Sequence, residues 1–204
     1  MIKQAVYNLS LTPAELKQLE AIKPWKGTHW DAPPSNIVKI ITKIRQQLEE
    51  VQTVCSYCGL KLYGTSNPQI EHIAPKSKHP NFTFTLKNLT LACDSCNCSK
   101  KGQKEVVNKR ANTYEDCEFL LVHPYFDDPD LHFEWTDNHI QILIQAKDGS
   151  PKGLFSIEMF ELCSPKMSMH RAQQVRYDEM IASMPLTKED QKSTMDVMKY
   201  KESI

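Results

Sequence analysis

Long hydrophobic runs are missing from this sequence of 204 residues. No stretch of about 18 consecutive apolar residues occurs, so the sequence predicts no membrane-spanning helix. The opening residues, MIKQAVYNLSLTPAEL, also lack the basic, then apolar, then small-residue order of a secretory signal. We therefore expect a cytoplasmic protein without a membrane partner. In that compartment its seven cysteines are expected to be reduced thiols and not disulfides.

A net charge is missing as well, because the formal net charge at pH 7 is zero. Such a balance ordinarily argues against a nucleic-acid partner. The average hides an uneven distribution: residues 55–110 contain nine Lys or Arg against three Asp or Glu, whereas residues 111–137 contain no Lys or Arg and eight Asp or Glu. Two interpretations stay open. These are solvated faces of opposite sign, or a phosphate-binding surface beside a segment that repels phosphate or meets a basic partner.

Internal repeats and low-complexity stretches are absent too, so we expect a compact segment between helical flanks. Thr12 and Glu15 are typical of a capping box and predict a short helix that ends near Ala21. Ser35 is predicted to cap a second helix. One apolar stripe of that helix recurs at helical spacing and contains Ile37, Ile40, Ile41, Ile44 and Leu48.

The loop between these helices contains Trp25 and Trp30, which we expect to be buried aromatics that hold the loop in place, with a docking surface as the alternative. Towards the C-terminus, FLLVHPYF and HIQILIQAKDG are strand-like. Three further helices are predicted there, around Phe155, Met159, Phe160 and Leu162, along SMHRAQQVRYDEMIASM, and along TKEDQKSTMDVMKY, where Thr187 and Asp190 form a cap.

Two CxxC pairs are the strongest local pattern, and they are Cys55 with Cys58 and Cys93 with Cys96. Each pair can bind one zinc ion from a single tight turn, and Gly59 suits the left-handed backbone that such turns often need. Four thiolates leave no open position for water, so the zinc would be structural. Cys98 could compete as a ligand, but the CxxC spacing favours Cys96. Cys117 and Cys163 are expected to be ordinary core cysteines.

Between the pairs, the alternating segments QIEHIAP and KNLTLAC predict a β-hairpin. A helix should begin near Asp94 or Ser95 and run through Lys101 to end at Gly102. In this order of strand, loop, strand and helix, the sequence resembles the HNH endonucleases of the ββα-metal nuclease fold. The resemblance covers about a quarter of the chain and is carried by Cys55, Cys58, Gly59, Glu71, His72, Ile73, Pro75, Asn88, Leu89, Cys93, Cys96, Asn97 and Lys100.

The resemblance implies an α+β fold in which a zinc-stapled ββα-metal core is embedded in a mostly helical body. Three segments follow: an N-terminal helical segment (1–52), the HNH core with its four-cysteine zinc site (53–112), and a mixed strand and helical region (113–204) expected to dock a partner.

The same resemblance assigns roles to four residues. His72 would be the general base, and its near-neutral pKa suits that role. Glu71 would be a metal ligand, although Asp is commoner in the family at this position. Asn88 would position the His72 ring, and Asn97 would be a second metal ligand. One carboxylate and one amide oxygen suit a hard cation, so the catalytic ion is expected to be Mg²⁺ or Mn²⁺.

The implied activity is that of a metal-dependent endonuclease that hydrolyses phosphodiester bonds of DNA, or of RNA such as tRNA. Four lysines, Lys76, Lys78, Lys100 and Lys101, are expected to contact backbone phosphates. The other histidines lack this context and are expected to be structural. A stand-alone HNH restriction-type DNA nuclease and a non-catalytic zinc-knuckle nucleic-acid-binding protein remain as alternatives.

Beyond the core, the sequence VHPYFDDPDLHFEW is followed by an apolar strand and by a helix that ends near ELCSPKMSMHR. This order resembles the small HNH subunits of Septu-type and retron-associated antiphage defence systems. This resemblance implies an effector nuclease that works with an ATPase subunit of the ABC/SMC-like class. In the retron variety it further implies a reverse transcriptase and its RNA–DNA product as partners.

Overall fold

The α-helices lie towards the two ends of the chain, and short strand pairs lie between them. The computed structural model describes residues 2–62, 68–136, 142–183, 187–190 and 192–193. Its α-helices are α1 (Pro13–Glu20), α2 (Thr28–Asp31), α3 (Ser35–Val51), α4 (Pro151–Phe160) and α5 (Pro165–Ser183). Three antiparallel pairs occur in the described residues: β1 (Gln69–His72) with β2 (Leu89–Ala92), β3 (Val107–Lys109) with β4 (Glu118–Phe119), and β5 (Phe133–Trp135) with β6 (Ile144–Ala146). The expected α+β class is confirmed.

Helix α1 begins as its sequence predicts. The hydroxyl of Thr12 accepts a hydrogen bond from the Glu15 backbone N–H, and the Glu15 carboxylate accepts one from the Thr12 N–H, which completes the capping box. Helix α3 begins differently. Its N-cap is Pro34, which makes no side-chain hydrogen bond to the helix, and Ser35 is the first helical residue. The prediction that Ser35 caps this helix is therefore wrong.

The apolar stripe of α3 forms one wall of the core. Four of its five predicted members are at most 2% exposed, namely Ile37, Ile40, Ile44 and Leu48, whereas Ile41 is half-buried. Burying a side chain of this size stabilises the fold by about 1.5–3 kcal/mol. The other wall includes Leu89 and Leu91 of β2, which are fully buried. Packing of α3 against β2 thus fixes the position of the β1–β2 hairpin.

Gln52, the residue that follows α3, attaches the helix to β2 through polar contacts. Its amide nitrogen donates to the Leu91 carbonyl at 2.6 Å, and its amide oxygen accepts from the Leu91 N–H at 2.8 Å. The same oxygen accepts from the Thr90 hydroxyl at 3.0 Å. Gln52 is buried, so these bonds satisfy backbone groups that water does not reach.

The C-terminal half differs from its predicted strands. In the segment FLLVHPYF, only the first residue, Phe119, lies in a strand. The chain then bends, because Pro124 has no backbone N–H to donate to a strand partner and the His123 N–H donates to the Asp127 carboxylate at 2.7 Å. Within HIQILIQAKDG the strand β6 is shorter than expected, and residues 139–141 lie outside the described residues. Strand β5 was not expected from the sequence.

Two of the three predicted C-terminal helices are α4 and α5. The cap predicted for the third, between Thr187 and Asp190, is present, and residues 191 and 194–200 of that helix lie outside the described residues. Among the described residues, no helix is both long enough and apolar enough to cross a membrane.

Replacement of Gln52 by Leu should lower the free energy of unfolding by about 1–3 kcal/mol, because the buried Leu91 backbone groups lose their amide partner. Urea denaturation measures this value. Gln47→Leu is the matched control, since Gln47 forms the same two-point contact with the backbone of Ser10 in a solvent-exposed place. Its cost should be well under 1 kcal/mol. Equal losses in the two variants would contradict this role of Gln52.

Candidate active site

The four sulfur atoms of Cys55, Cys58, Cys93 and Cys96 lie within 4.8 Å of one another. The Cys58 and Cys93 sulfurs are 3.9 Å apart, far beyond the length of a disulfide bond. Four sulfurs arranged tetrahedrally at the usual zinc distance would be about 3.8 Å apart. The cluster therefore has the ligand type, number and spacing to bind zinc.

The backbone at one of the two pairs is shaped for this cluster. At the first pair, the Gly59 N–H donates to the Cys55 carbonyl at 2.9 Å, and Gly59 has a φ of 70°, which a residue without a β-carbon adopts easily. Cys98 lies outside the cluster and is exposed, while Cys117 is buried as expected. Cys163 is exposed, so the expectation that it lies in the core is wrong.

The second cysteine pair brackets the start of a π-helix, Ser95–Lys101, which lies against β1. Two contacts join the helix to the strand. The Asn97 amide nitrogen donates to the Gln69 side-chain oxygen at 3.1 Å, and the Lys101 ammonium lies 2.5 Å from the Glu71 carboxylate. Gln69 and Glu71 are two residues apart in β1, so their side chains lie on the same face of the strand. Asn97 and Lys101 are four residues apart on the helix, so they lie on the same side of it. The structure thus places Glu71 and Asn97, the two expected metal ligands, at the same strand–helix contact.

Glu71 is buried, and its charge is balanced inside the protein. Lys101 contacts its Oε1 atom, and the Tyr57 hydroxyl donates to that same atom at 3.2 Å. Burial raises the pKa of Glu71, and the Lys101 charge opposes that rise. The contacts seen for Lys101 and Tyr57 are thus both with Oε1.

His72 contacts the hairpin loop. Its Nε2 atom lies 3.1 Å from the Thr83 carbonyl oxygen. A carbonyl only accepts hydrogen bonds, so Nε2 carries the proton and Nδ1 carries the lone pair of the neutral ring. Burial, with a further contribution from the Lys76 charge, lowers the pKa of His72 to about 3. The imidazole is therefore neutral at physiological pH, in the form that can accept a proton.

Asn88 clamps the loop that holds His72. Its side chain is 0% exposed. The amide oxygen accepts from the Ala74 N–H at 2.7 Å, and the amide nitrogen donates to the carbonyls of Ala74 at 3.2 Å and Phe82 at 3.0 Å. Since Thr83 follows Phe82, the clamp fixes the carbonyl that orients the His72 ring. The residue acts on the loop and not on the ring itself.

A segment from the N-terminal region covers this site. The Trp30 ring stands perpendicular to the His72 ring, with 4.5 Å between ring centroids, and also packs on Phe84. Next to it, Asp31 forms a salt bridge of 3.1 Å with Lys76. His72 is 6% exposed as a result. We call residues 27–31 the covering segment. Of the two interpretations of this loop, aromatic packing is the one seen, although Trp25 and Trp30 are half-buried and not fully buried.

The four lysines expected to contact phosphates differ in their surroundings. Lys78 is exposed, and Lys76 forms a salt bridge with Asp31. Lys100 instead donates to the Phe160 carbonyl at 2.6 Å and pairs with Glu161, which joins the π-helix to α4. Lys101 is 1% exposed and also donates to the His72 carbonyl at 3.0 Å. Both of these ammonium groups already have partners within the protein, and the expectation that the four lysines contact phosphates stays a prediction.

Sequence reasoning overlooked several residues of this site. Gln69 could have been found from the two-residue period of β1, since it lies on the face of Glu71. The internal role of Lys101 could have been found from its position one helical turn beyond Asn97. Nothing in the sequence placed Trp30 next to His72, because it lies far along the chain and contacts His72 through tertiary packing alone.

The four-cysteine cluster, the hairpin and the helix together form the arrangement expected of an HNH site. Residues 55–103 match the family model described as HNH endonuclease, which confirms the resemblance over the segment that contains every predicted site residue. The chain is similar to two curated proteins. One is "Septu protein PtuB" of Bacillus mycoides (strain KBAB4), 30% identical over 137 residues, or 58% of this chain and 45% of that protein. The chain thus spans about half the length of that relative.

The second relative is "Retron Vc95 putative HNH endonuclease" of Vibrio cholerae serotype O1 biovar El Tor. It is 27% identical over 179 residues, which cover 80% of this chain and 78% of that protein. Similarity to this relative extends well beyond the family match at residues 55–103. The two names agree with the resemblance to Septu and retron nucleases expected from the sequence.

Replacement of Cys96 by Ser should abolish zinc binding and unfold the segment around the hairpin, since a structural zinc site contributes directly to folding. Cys98→Ser is the matched control, because Cys98 lies two residues away and outside the cluster. It should retain about one zinc per chain. Metal analysis and circular dichroism measure both outcomes. Loss of zinc in both variants, or in neither, would contradict the four-cysteine assignment.

Replacement of Trp30 by Ala should expose His72 and raise its rate of modification by diethyl pyrocarbonate several-fold, because the ring that covers the imidazole is gone. Mass spectrometry of the His72 peptide measures the rate. Trp25→Ala is the control, since Trp25 packs on the same Phe84 ring but not on His72. Faster modification after both substitutions would show general loosening and not removal of a cover.

Proposed function

We propose that this chain is a metal-dependent endonuclease that hydrolyses phosphodiester bonds of nucleic acid, with His72 as the general base. The observation that carries the proposal is the His72 ring, whose Nε2 proton is committed to Thr83 while Nδ1 is left to accept a proton from water. The match to HNH endonuclease over residues 55–103 supports the reaction class.

Glu71 and Asn97 would hold the divalent cation, Mg²⁺ or Mn²⁺. The donor set fits such an ion: the contacts seen for Lys101 and Tyr57 are with Oε1 of Glu71, and Asn97 donates through nitrogen and so keeps its amide oxygen as a ligand. When bound, the cation supplies positive charge to the scissile phosphate and to the leaving oxygen. Asn88 would keep the loop, and through it the His72 ring, in position.

The ion pair between Lys101 and Glu71 affects how the site can bind a cation. The Lys101 ammonium already balances the Glu71 carboxylate, so the pair contributes no net negative charge to attract the cation. A substrate phosphate would add the missing negative charge. We therefore expect the protein to bind the catalytic cation strongly only together with nucleic acid.

Access to His72 requires movement of the covering segment. Trp30 lies against the His72 ring. Asp31 forms a salt bridge with Lys76, which would otherwise be available to a phosphate. A phosphodiester that reaches His72 would replace both contacts. We expect low activity of the isolated chain for this reason, and higher activity when a partner or the substrate moves the segment.

The relatives suggest the setting of this activity. Because the chain is similar to a Septu protein and to a retron HNH endonuclease, we propose a role as the effector nuclease of an antiphage defence complex. An ATPase subunit is the partner expected from the resemblance, with a reverse transcriptase and its RNA–DNA product in the retron case. The mixed strand and helical region 113–204 is the proposed docking region.

Two alternatives predict different behaviour. A stand-alone restriction-type nuclease would cut DNA vigorously without other subunits. A non-catalytic zinc-knuckle protein would keep its biological activity after His72→Ala. Co-expression with the neighbouring genes, followed by triggering of the system and sequencing of the cut ends of DNA and RNA, would separate these possibilities and identify the substrate.

His72→Ala should reduce the cleavage rate of the assembled system by at least about 100-fold, as expected for loss of a general base. Zinc content and the melting temperature, measured in parallel, should show a folded protein. His170→Ala on α5 is the control and should cleave normally. Cleavage by the His72→Ala protein within a few-fold of the parent rate would rule out this role of His72.

A further inference from the structure

A polar groove lies behind the hairpin loop, outside the site described above. It has a volume of about 290 Å³ and is lined by Asn81, Phe82, Arg110, Ala111 and Asn112. Asn81, Arg110 and Asn112 are exposed at its rim, and the buried Phe82 ring forms part of its floor. We call it the Arg110 groove.

The groove shares a loop with the active site. Phe82 lines it with its side chain, while the Phe82 carbonyl accepts from Asn88 and the carbonyl of the next residue, Thr83, accepts from His72. One short loop therefore separates the groove from the general base. A strand that places a phosphate at His72 and continues around this loop would meet the groove next.

The lining of the groove favours an anion. Among the described residues no acidic side chain lines it, although the segment that begins at residue 111 is acidic overall. The Arg110 guanidinium lies 6.0 Å from the centre of the Phe82 ring, so the ring restrains the side chain and leaves its N–H groups available. Arginine N–H groups match the geometry of a phosphate oxygen pair.

The neighbouring basic residue provides a contrast. Lys109, the last residue of β3, is not among the groove-lining residues and pairs with Glu118 of β4. Two adjacent exposed cations therefore differ in their surroundings: one has an acidic partner, and the other faces a groove with two amide side chains. The volume is close to the lower limit of small-ligand sites, about 300 Å³, and suits one nucleotide unit.

We propose that the Arg110 groove binds one nucleotide unit of the nucleic-acid substrate next to the scissile bond. Arg110 contacts the phosphate, and the amides of Asn81 and Asn112 contact the sugar or base edge. This proposal rests on the proposed nuclease function and adds a second contact point for the same strand. Because the groove is open, it binds nucleic acid without movement of the covering segment.

The test measures the affinity of the full-length His72→Ala protein for fluorescent DNA and RNA oligonucleotides, single- and double-stranded, over a series of salt concentrations. Arg110→Gln removes the proposed contact, and Lys109→Gln is the control with the same change in net charge. Arg110→Gln should weaken binding by about threefold to tenfold and reduce the slope of log K against log salt by about 0.7 to 0.9. Lys109→Gln should change both values much less.

Asn112→Ala provides a second variant without a charge change and should weaken binding with the slope unaltered. In the assembled system with an intact His72, Arg110→Gln should raise KM and leave kcat unchanged. Equal weakening by Arg110→Gln and Lys109→Gln would overturn the groove while leaving the nuclease proposal intact. Absence of binding to every probe by the His72→Ala parent would overturn the groove proposal and would also count against a nucleic-acid substrate.

Discussion

The buried contact between Lys101 and Glu71 is the interaction on which the rest of the site depends. It joins the π-helix to β1 at the point where the expected metal ligand and the expected base are neighbours in sequence, and Lys101 also donates to the His72 carbonyl. Removal of one partner from a buried pair of opposite charges typically lowers the free energy of unfolding by about 3–5 kcal/mol, because the other charge is left buried and unpaired. The contact therefore fixes the position of the helix relative to the strand, and with it the distance between Asn97 and Glu71.

Two further constraints keep this strand–helix contact in place. On one side, the cysteine cluster anchors the start of the helix to the turn at Cys55–Cys58. On the other side, Asn88 holds the loop whose Thr83 carbonyl orients His72. The base and the carboxylate, which are adjacent residues of β1, thus contact different elements, the loop and the helix. The cysteine cluster and the hydrogen-bonded Asn88 amide therefore both help to hold this small sheet.

The spacing of residues close together in the sequence was sufficient to predict the cysteine cluster and the hairpin of the site. The CxxC pairs predicted the cysteine cluster, and alternation predicted the hairpin, because these patterns depend on residues a few positions apart. Contacts between distant segments could not be predicted in this way. Trp30 on His72 and Gln52 on β2 join residues about 40 positions apart, and only tertiary packing brings them together. Lys101 was expected on the surface, where most lysines lie, and its burial follows from its partner Glu71.

We expect Glu71 and Asn97 to bind one divalent cation beside the His72 base. A crystal structure of the His72→Ala protein with bound nucleic acid and Mn²⁺, with the ion located by anomalous scattering, would test this. It should show a manganese peak bound by Oε2 of Glu71 and the Asn97 amide oxygen, separate from a zinc peak among the four cysteine sulfurs. A manganese ion held by other residues, with Glu71 still paired to Lys101 and Asn97 still bonded to Gln69, would contradict this expectation.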